Sequence, residues 1–392
     1  MLSPTHSEQK ANVVAFAFLL IAFLTGIASS FQLPTLSLFL SREIHVSPFL
    51  IGLFYSINAV MGIALSQILA RYSDKLDDRR KIMMICCLVV VCGCLIFAYS
   101  RNYYVLAFLG TFLLGLGASS NPQSFALARE YAESSGREAV MFTTIMRTQI
   151  SLAWIVGPPL SFSIALGWGF DYMYLVAASA FLLCALISVL LLPKIQRSSQ
   201  QKSVATNIST KSDKKSIFYL FITCFLVMGC NGMYLINMPL YVIHELHLPE
   251  RLAGILMGTA AGLEIPIMLL AGYLTKFLSK KTLILTALCA GLLFYLGLFI
   301  AEKTWELIAL QLFNAIIIGI VATIGMVYFQ DLMPTQMGSA TTLFSNAAKS
   351  SWIVSGPLAG IIAEHWHYSS VFYLAFGILI IATLCFAQVK SA

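Results

Sequence analysis

Charge is what this chain has least of. Only 10% of its 392 residues are Asp, Glu, Lys or Arg, against about 25% in a soluble domain. So little charge cannot coat a water-facing surface, and the expected solvent is lipid. The basic excess, a formal net charge of +7, does not point to nucleic acid. The basic residues sit in short loops between apolar runs rather than in a patch or stripe. Cysteine chemistry is lacking as well: the nine cysteines fall in apolar segments, four of them in one (Cys86, Cys87, Cys92, Cys94), and no CxxC pair occurs. They read as small apolar packing residues rather than disulfides or metal ligands. No His-Glu-x-x-His, no paired intramembrane carboxylates and no P-loop are found. An enzyme, a metal site, a cofactor and ATP-driven transport are therefore not expected. The polar tails are short, so the soluble output domain of a sensor is not expected either.

What is present is apolar length. Hydrophobic residues make up 59% of the chain and the mean hydropathy is +0.85. A helix crosses the hydrocarbon with about 20 residues. Apolar runs at 12–40, 49–70, 82–100, 103–128, 139–166, 171–192, 217–243, 250–274, 282–300, 304–329, 337–363 and 370–389 predict twelve spans. The first run is too long for the ~7–15 residue core of a signal peptide and reads as a retained helix. Alternate loops hold 18 and 4 basic residues. The rule that basic loops stay inside places both termini in the cytoplasm.

The chain also repeats itself. SREIHVSPFLIGL at Ser41–Leu53 returns as IHELHLPERLAGI at Ile243–Ile255, so that at an offset of 202 Glu43 meets Glu245, His45 meets His247 and Gly52 meets Gly254. In span five Trp154 and Pro159 meet Trp352 and Pro357 of span eleven at an offset of 198. The expectation is an all-α integral membrane protein of two pseudo-symmetric six-helix bundles, 1–192 and 217–392. A flexible Ser/Thr/Lys-rich cytoplasmic linker, 193–216, joins them. Doubled membrane units of this length usually form transporters whose halves rock around a central site.

The loop SDKLDDRRK at Ser73–Lys81 and its counterpart GYLTKFLSKK at Gly272–Lys281 resemble the loop signature of the major facilitator superfamily. LPTLSLFLSREI, IGLFYSINA, FALAREYA, SLAWIVGPPL, MGTAAGLEIP, LQLFNA and FQDLMP are similar to the bacterial sugar efflux transporters of that superfamily. The resemblance spans nearly the whole chain. It implies the major facilitator fold in a bacterial inner membrane, a protein working as a monomer, and proton-linked export of small sugars and glycosides such as lactose, glucose and thiogalactosides. A drug/proton antiporter of the same fold, exporting amphipathic compounds, is the competing reading. The resemblance further implies a cytoplasmic latch at the loop, with Asp74, Arg79 and Arg80 as gating residues. Arg129 and Glu130, which align with Gln330 and Asp331 at an offset of 201, read as gate or helix-end pairs.

Three ionisable residues fall well inside spans: Arg147, Glu264 and Lys349. Such residues are costly in hydrocarbon and mark functional sites by default. At ~1.5 Å per residue, Arg147 and Glu264 lie at similar depth. In the superfamily fold spans five and eight meet, which implies an ion pair between them and proton coupling through Glu264. A permanent structural pair is the alternative.

Sugars need amides and charges for their hydroxyls and aromatic faces for their C–H surface. Helix-spaced candidates are Asn231, Tyr234 and Asn237 on span seven and Asn346, Lys349 and Trp352 on span eleven. Trp154 on span five, Gln32, Asn58, Asn121 and Gln123 on spans one, two and four, and Asn314 beside Gln311 on span ten complete the set. The competing role for any one amide is to tie packed helices together. The six histidines are expected in the N-terminal tail or in solvated loops.

Overall fold

A computed structural model describes residues 6–73, 78–117, 120–194, 214–333 and 337–389. Asp74 and most of the linker lie outside them. Among the described residues the chain is helical throughout, with no strand. The helices are α1 (His6–Arg42), α2 (Pro48–Ser73), α3 (Arg79–Tyr99), α4 (Thr111–Gly117), α5 (Ser120–Ser134), α6 (Ala139–Trp168) and α7 (Phe170–Leu190). They continue with α8 (Lys214–Leu240), α9 (Arg251–Leu274), α10 (Lys280–Leu298), α11 (Thr304–Ile320), α12 (Met326–Leu332), α13 (Met337–His365) and α14 (Tyr368–Ala387). Wide-turn π segments at Val105–Gly110, Tyr241–Glu245 and Val321–Gly325 run into α4, out of α8 and from α11 into α12.

Eleven stretches of described helix are long and apolar enough to cross a membrane. The twelfth rod of the expected series is α13, whose first half is rich in Ser, Thr and Asn. Arg79 and Arg80, expected in a loop, instead open α3. The Asp78 carboxylate caps that helix by accepting from the Arg80 backbone N–H at 3.1 Å. Proline lies inside α1 (Pro34), α6 (Pro158, Pro159), α8 (Pro239), α9 (Pro266) and α13 (Pro357). In lipid such breaks persist because neighbouring groups re-satisfy the freed carbonyls. Pro357 frees the Ile353 carbonyl, and the Ser56 hydroxyl donates to it at 2.6 Å.

The described residues form two compact units, one within Met1–Thr35 and Val60–Val204, the other within Leu36–Ala59 and Ala205–Ala392. The end of α1 and the first half of α2 therefore belong with the later helices. In the first unit the aromatic core includes Phe18, packed against Tyr131 and edge-on to Phe142. In the second, Tyr234 and Tyr295 meet Phe294, and Phe372 meets Tyr241.

The internal repeat is visible in detail within each unit. Ser30 of α1 rests on Gly157 of α6, where an added Cβ would stand 1.7 Å from the serine oxygen. In the other unit the roles are exchanged. Gly232 of α8 faces Ser355 of α13, whose hydroxyl would lie 2.6 Å from an added Cβ. Small residues let helices in lipid approach closely, and close packing is what holds them there. His45 and His247, also repeat partners, both take a left-handed backbone (φ 54° and 53°). Beside them Val46 N–H bonds to Leu40 O at 3.3 Å and Leu248 N–H to Val242 O at 3.0 Å. The chain thus turns out of both helices by one device, the left-handed residue that closes a helix end.

Candidate functional site

In the second unit the expected sugar contacts divide into two sets. Tyr234 is fully buried, and its hydroxyl donates to Gln311 Oε1 at 2.9 Å. Asn314 Nδ2 donates to the same oxygen at 3.1 Å. Asn237 Nδ2 donates to the Tyr368 carbonyl at 2.7 Å. These groups tie α8 to α11 and α14. Asn58 and Asn231 are half-buried, Asn346 and Lys349 exposed. Trp352 lies stacked on Tyr55 with ring centres 6.1 Å apart and planes 25° from parallel. Glu264, half-buried in mid-span on α9, makes no hydrogen bond or ion pair among the described residues.

In the first unit Gln32 Nε2 points at Cys94 Sγ, 3.5 Å away. Asn121 Oδ1 is enclosed and has no hydrogen-bond partner among the described residues. Gln123 is buried, and its Oε1 accepts from Arg79 at 2.8 Å. Trp154 is half-buried. Arg147 is exposed on α6, its guanidinium 5.8 Å from the centre of the Phe125 ring.

The residues expected to gate the chain form two matching sets, one per unit. Arg79 pairs with Glu130 at 3.0 Å. Arg80 forks onto the Asp78 carboxylate and donates to the Leu192 carbonyl at 2.9 Å. That fork holds the Asp78 carboxyl below its usual range. In the second unit, 201 residues on, Lys280 pairs with Asp331 and Lys281 donates to the Val389 carbonyl at 2.6 Å. Ser279, repeat partner of Asp78, caps α10 through the Thr282 N–H at 3.0 Å. Each unit thus anchors the start of one helix to the end of another and to the end of its last helix. Arg129 is exposed beside Glu130 and has further contacts of its own.

Sequence reasoning passed over several polar groups at the opposite helix ends of the second unit. Arg42 forks onto Glu250. The Glu364 carboxylate accepts from the Phe49 backbone N–H, which opens α2, at 2.8 Å. Glu245 accepts from the Ser369 N–H, which opens α14, at 3.0 Å. A carboxylate at a helix N-terminus is favourable because the unpaired N–H groups and the helix dipole both face it. The available signal was an acid placed shortly before or opposite a predicted helix start. His244, expected in a solvated loop, lies in the π continuation of α8 with its ring stacked on Tyr368 at 6.0 Å.

Beneath these clips α2 and α13 touch backbone to backbone. A Cβ added to Gly52 would stand 2.0 Å from the Gly356 carbonyl oxygen. The Ser56 hydroxyl donates across the seam to the Ile353 carbonyl at 2.6 Å.

The sequence profile of the Major Facilitator Superfamily matches residues 18–348 and 220–390. Sugar efflux transporter A of Dickeya chrysanthemi is 54% identical over 389 residues, which cover 99% of each chain. Sugar efflux transporter C of Escherichia coli (strain K12) is 47% identical over 391 residues, 99% of this chain and 98% of that one. Among solved structures, the crystal structure of the nucleoside transporter NupG superimposes with a TM-score of 0.81 at 14% identity, covering 96% of this chain and 98% of that one. This last likeness concerns the fold.

Proposed function

The chain belongs to the sugar efflux transporters of the Major Facilitator Superfamily, and from that premise we propose that it exports small sugars and glycosides in exchange for protons. It is a multi-pass membrane transporter and not an enzyme. The observation that carries the substrate class is the near-complete match to relatives named for sugar efflux. The amide- and tryptophan-bearing helices support it, because hydroxyl-rich substrates need hydrogen-bonding groups and ring faces. The substrates proposed are lactose, glucose and thiogalactosides, taken up by alternating access from the cytoplasmic side of a bacterial inner membrane. Both termini lie in the cytoplasm and the protein works as a monomer.

In this reading Asn58, Asn231, Asn314, Asn346, Lys349, Trp154 and Trp352 reach the sugar. Glu264 carries the proton, as the one acid in mid-span among the described residues. Arg147 is its counter-charge in one access state. The charged anchors around Arg79, Arg80, Glu130, Lys280 and Asp331 hold each unit rigid during rocking. One proton moving down 100 mV supplies about 2.3 kcal/mol, enough for about 50-fold accumulation of one sugar.

The test is uptake of radiolabelled lactose, and separately of a labelled thiogalactoside, into everted vesicles with and without the protein. An imposed proton gradient should drive accumulation, and an uncoupler should abolish it. Empty vesicles under a competent gradient would sink the sugar reading and favour export of amphipathic compounds.

A further inference from the structure

The triad of Tyr234, Gln311 and Asn314 in the second unit does more than tie helices. An amide offers one oxygen with two lone pairs and two N–H groups. Gln311 is fully buried. Its Nε2 donates to the Leu307 carbonyl one turn back at 3.0 Å. Its Oε1 accepts from the Tyr234 hydroxyl at 2.9 Å and from Asn314 Nδ2 at 3.1 Å. Turning the Gln311 amide over would set an N–H against the Asn314 N–H and leave the Leu307 carbonyl facing an oxygen, although the Tyr234 hydroxyl could serve either end. In a buried setting that arrangement is strongly disfavoured, so the orientation of Gln311 is fixed.

The consequence passes to Asn314. Its nitrogen is committed to Gln311, so its carbonyl oxygen must point the other way. That oxygen accepts no hydrogen bond among the described residues and is not enclosed. The unit therefore holds a buried amide, 5% exposed, whose donor end is anchored and whose acceptor oxygen is neither bonded among the described residues nor fully enclosed.

We infer that Asn314 is a specificity-determining contact that accepts a hydrogen bond from one substrate hydroxyl, and that Gln311 and Tyr234 are positioning residues that set this polarity. The inference rests on the sugar reading above and deepens it. At this position the protein reads a hydroxyl as a donor. A group of similar size that cannot donate is rejected.

The experiment uses purified protein in liposomes and the four singly deoxygenated and four singly fluorinated analogues of glucose at carbons 2, 3, 4 and 6. Fluorine accepts weakly and cannot donate. In the wild-type protein one ring position should stand out, its deoxy and fluoro analogues both raising KM about 2- to 10-fold, the size of one neutral hydrogen bond. In Asn314→Leu the penalty at that position should vanish while the other positions keep theirs. In Gln311→Leu the asparagine amide is free to turn, and the fluoro analogue should recover relative to the deoxy one. Tyr234→Phe removes one of the two clamps with a single atom and should show the same split at smaller size, which keeps the test open if Gln311→Leu does not fold. A transporting Asn314→Leu that keeps every wild-type penalty overturns the contact. A wild-type pattern in both Gln311→Leu and Tyr234→Phe overturns the positioning. Absence of saturable glucose transport by the wild-type protein is a separate result, which removes the sugar reading and this inference with it.

Discussion

Replacing Gly356 with alanine should force open the seam between α2 and α13. A Cβ on Gly356 would stand 2.2 Å from the Gly52 carbonyl oxygen, and one on Gly52 would stand 2.0 Å from the Gly356 oxygen. An ordinary carbon–oxygen contact sits at ~3.3 Å or more, so the helices must part by about 1 Å. Both obstructing atoms are backbone, and no side chain can swing aside. Overpacking of this kind costs about 1–3 kcal/mol. The Ser56 bond to Ile353 and the stacking of Tyr55 on Trp352 are stretched with it. If the seam opens during transport, the equilibrium moves towards the open state by about 5- to 150-fold. The reporter is Ser56→Cys, buried in the closed seam, in a background where the exposed cysteines Cys92 and Cys289 are serine. Labelling by a membrane-impermeant maleimide from the non-cytoplasmic side should accelerate by that factor in Gly356→Ala. Gly360→Ala, whose Cβ would meet Pro48 O at 2.5 Å, should behave alike. Gly62→Ala on the same helix α2, with nothing within 4 Å, should label like the parent. A folded Gly356→Ala that labels and transports like the parent would refute the steric argument.

Other consequences are as direct. Glu264→Gln should abolish gradient-driven accumulation while leaving exchange of labelled for unlabelled sugar intact; accumulation equal to wild type in vesicles would remove Glu264 from coupling. Glu130→Ala removes the 3.0 Å carboxylate contact of the buried Arg79 and should destabilise the first unit by about 1.5–3 kcal/mol, read as a lower midpoint of thermal unfolding in detergent, whereas Asp331→Ala, at a more exposed pair, should cost about 1 kcal/mol or less. The Asp78 carboxyl titrates below its usual value because Arg80 holds its charged form. Its contribution is therefore complete above the unfolded value of about 3.9 and lost as pH falls through the lower folded one. Thermal stability attributable to Asp78 should be flat from pH 8 to 5 and decline in stronger acid, and Asp78→Ala should lower stability by about 0.5–2 kcal/mol at neutral pH with that acid decline blunted.

Much of the fold was legible because lipid imposes blunt constraints. Long apolar runs had to be helices, and the offsets of 201–202 residues aligned His45 with His247 and Glu130 with Asp331, at which the structure places matching turns and ion pairs. The grouping of Leu36–Ala59 with the later helices was not legible, since it depends on contacts far apart in sequence, such as Ser56 with Ile353. The polar candidates show the same limit. Helical spacing put Asn231, Tyr234 and Asn237 on neighbouring turns, but a polar residue in a span faces either a pathway or another helix. Tyr234 found Gln311 and Asn237 found the Tyr368 carbonyl. Only three-dimensional packing distinguishes those from Asn314, whose oxygen stays open.

The central claim is that sugar leaves in exchange for protons. Purified protein in liposomes containing lactose and a pH-sensitive dye, diluted into lactose-free buffer with no starting pH gradient, tests it most directly. Outward lactose flow should acidify the interior, and Glu264→Gln should release lactose without the pH change. Lactose release by the wild-type protein with no change in internal pH, or with alkalinisation, would contradict proton exchange.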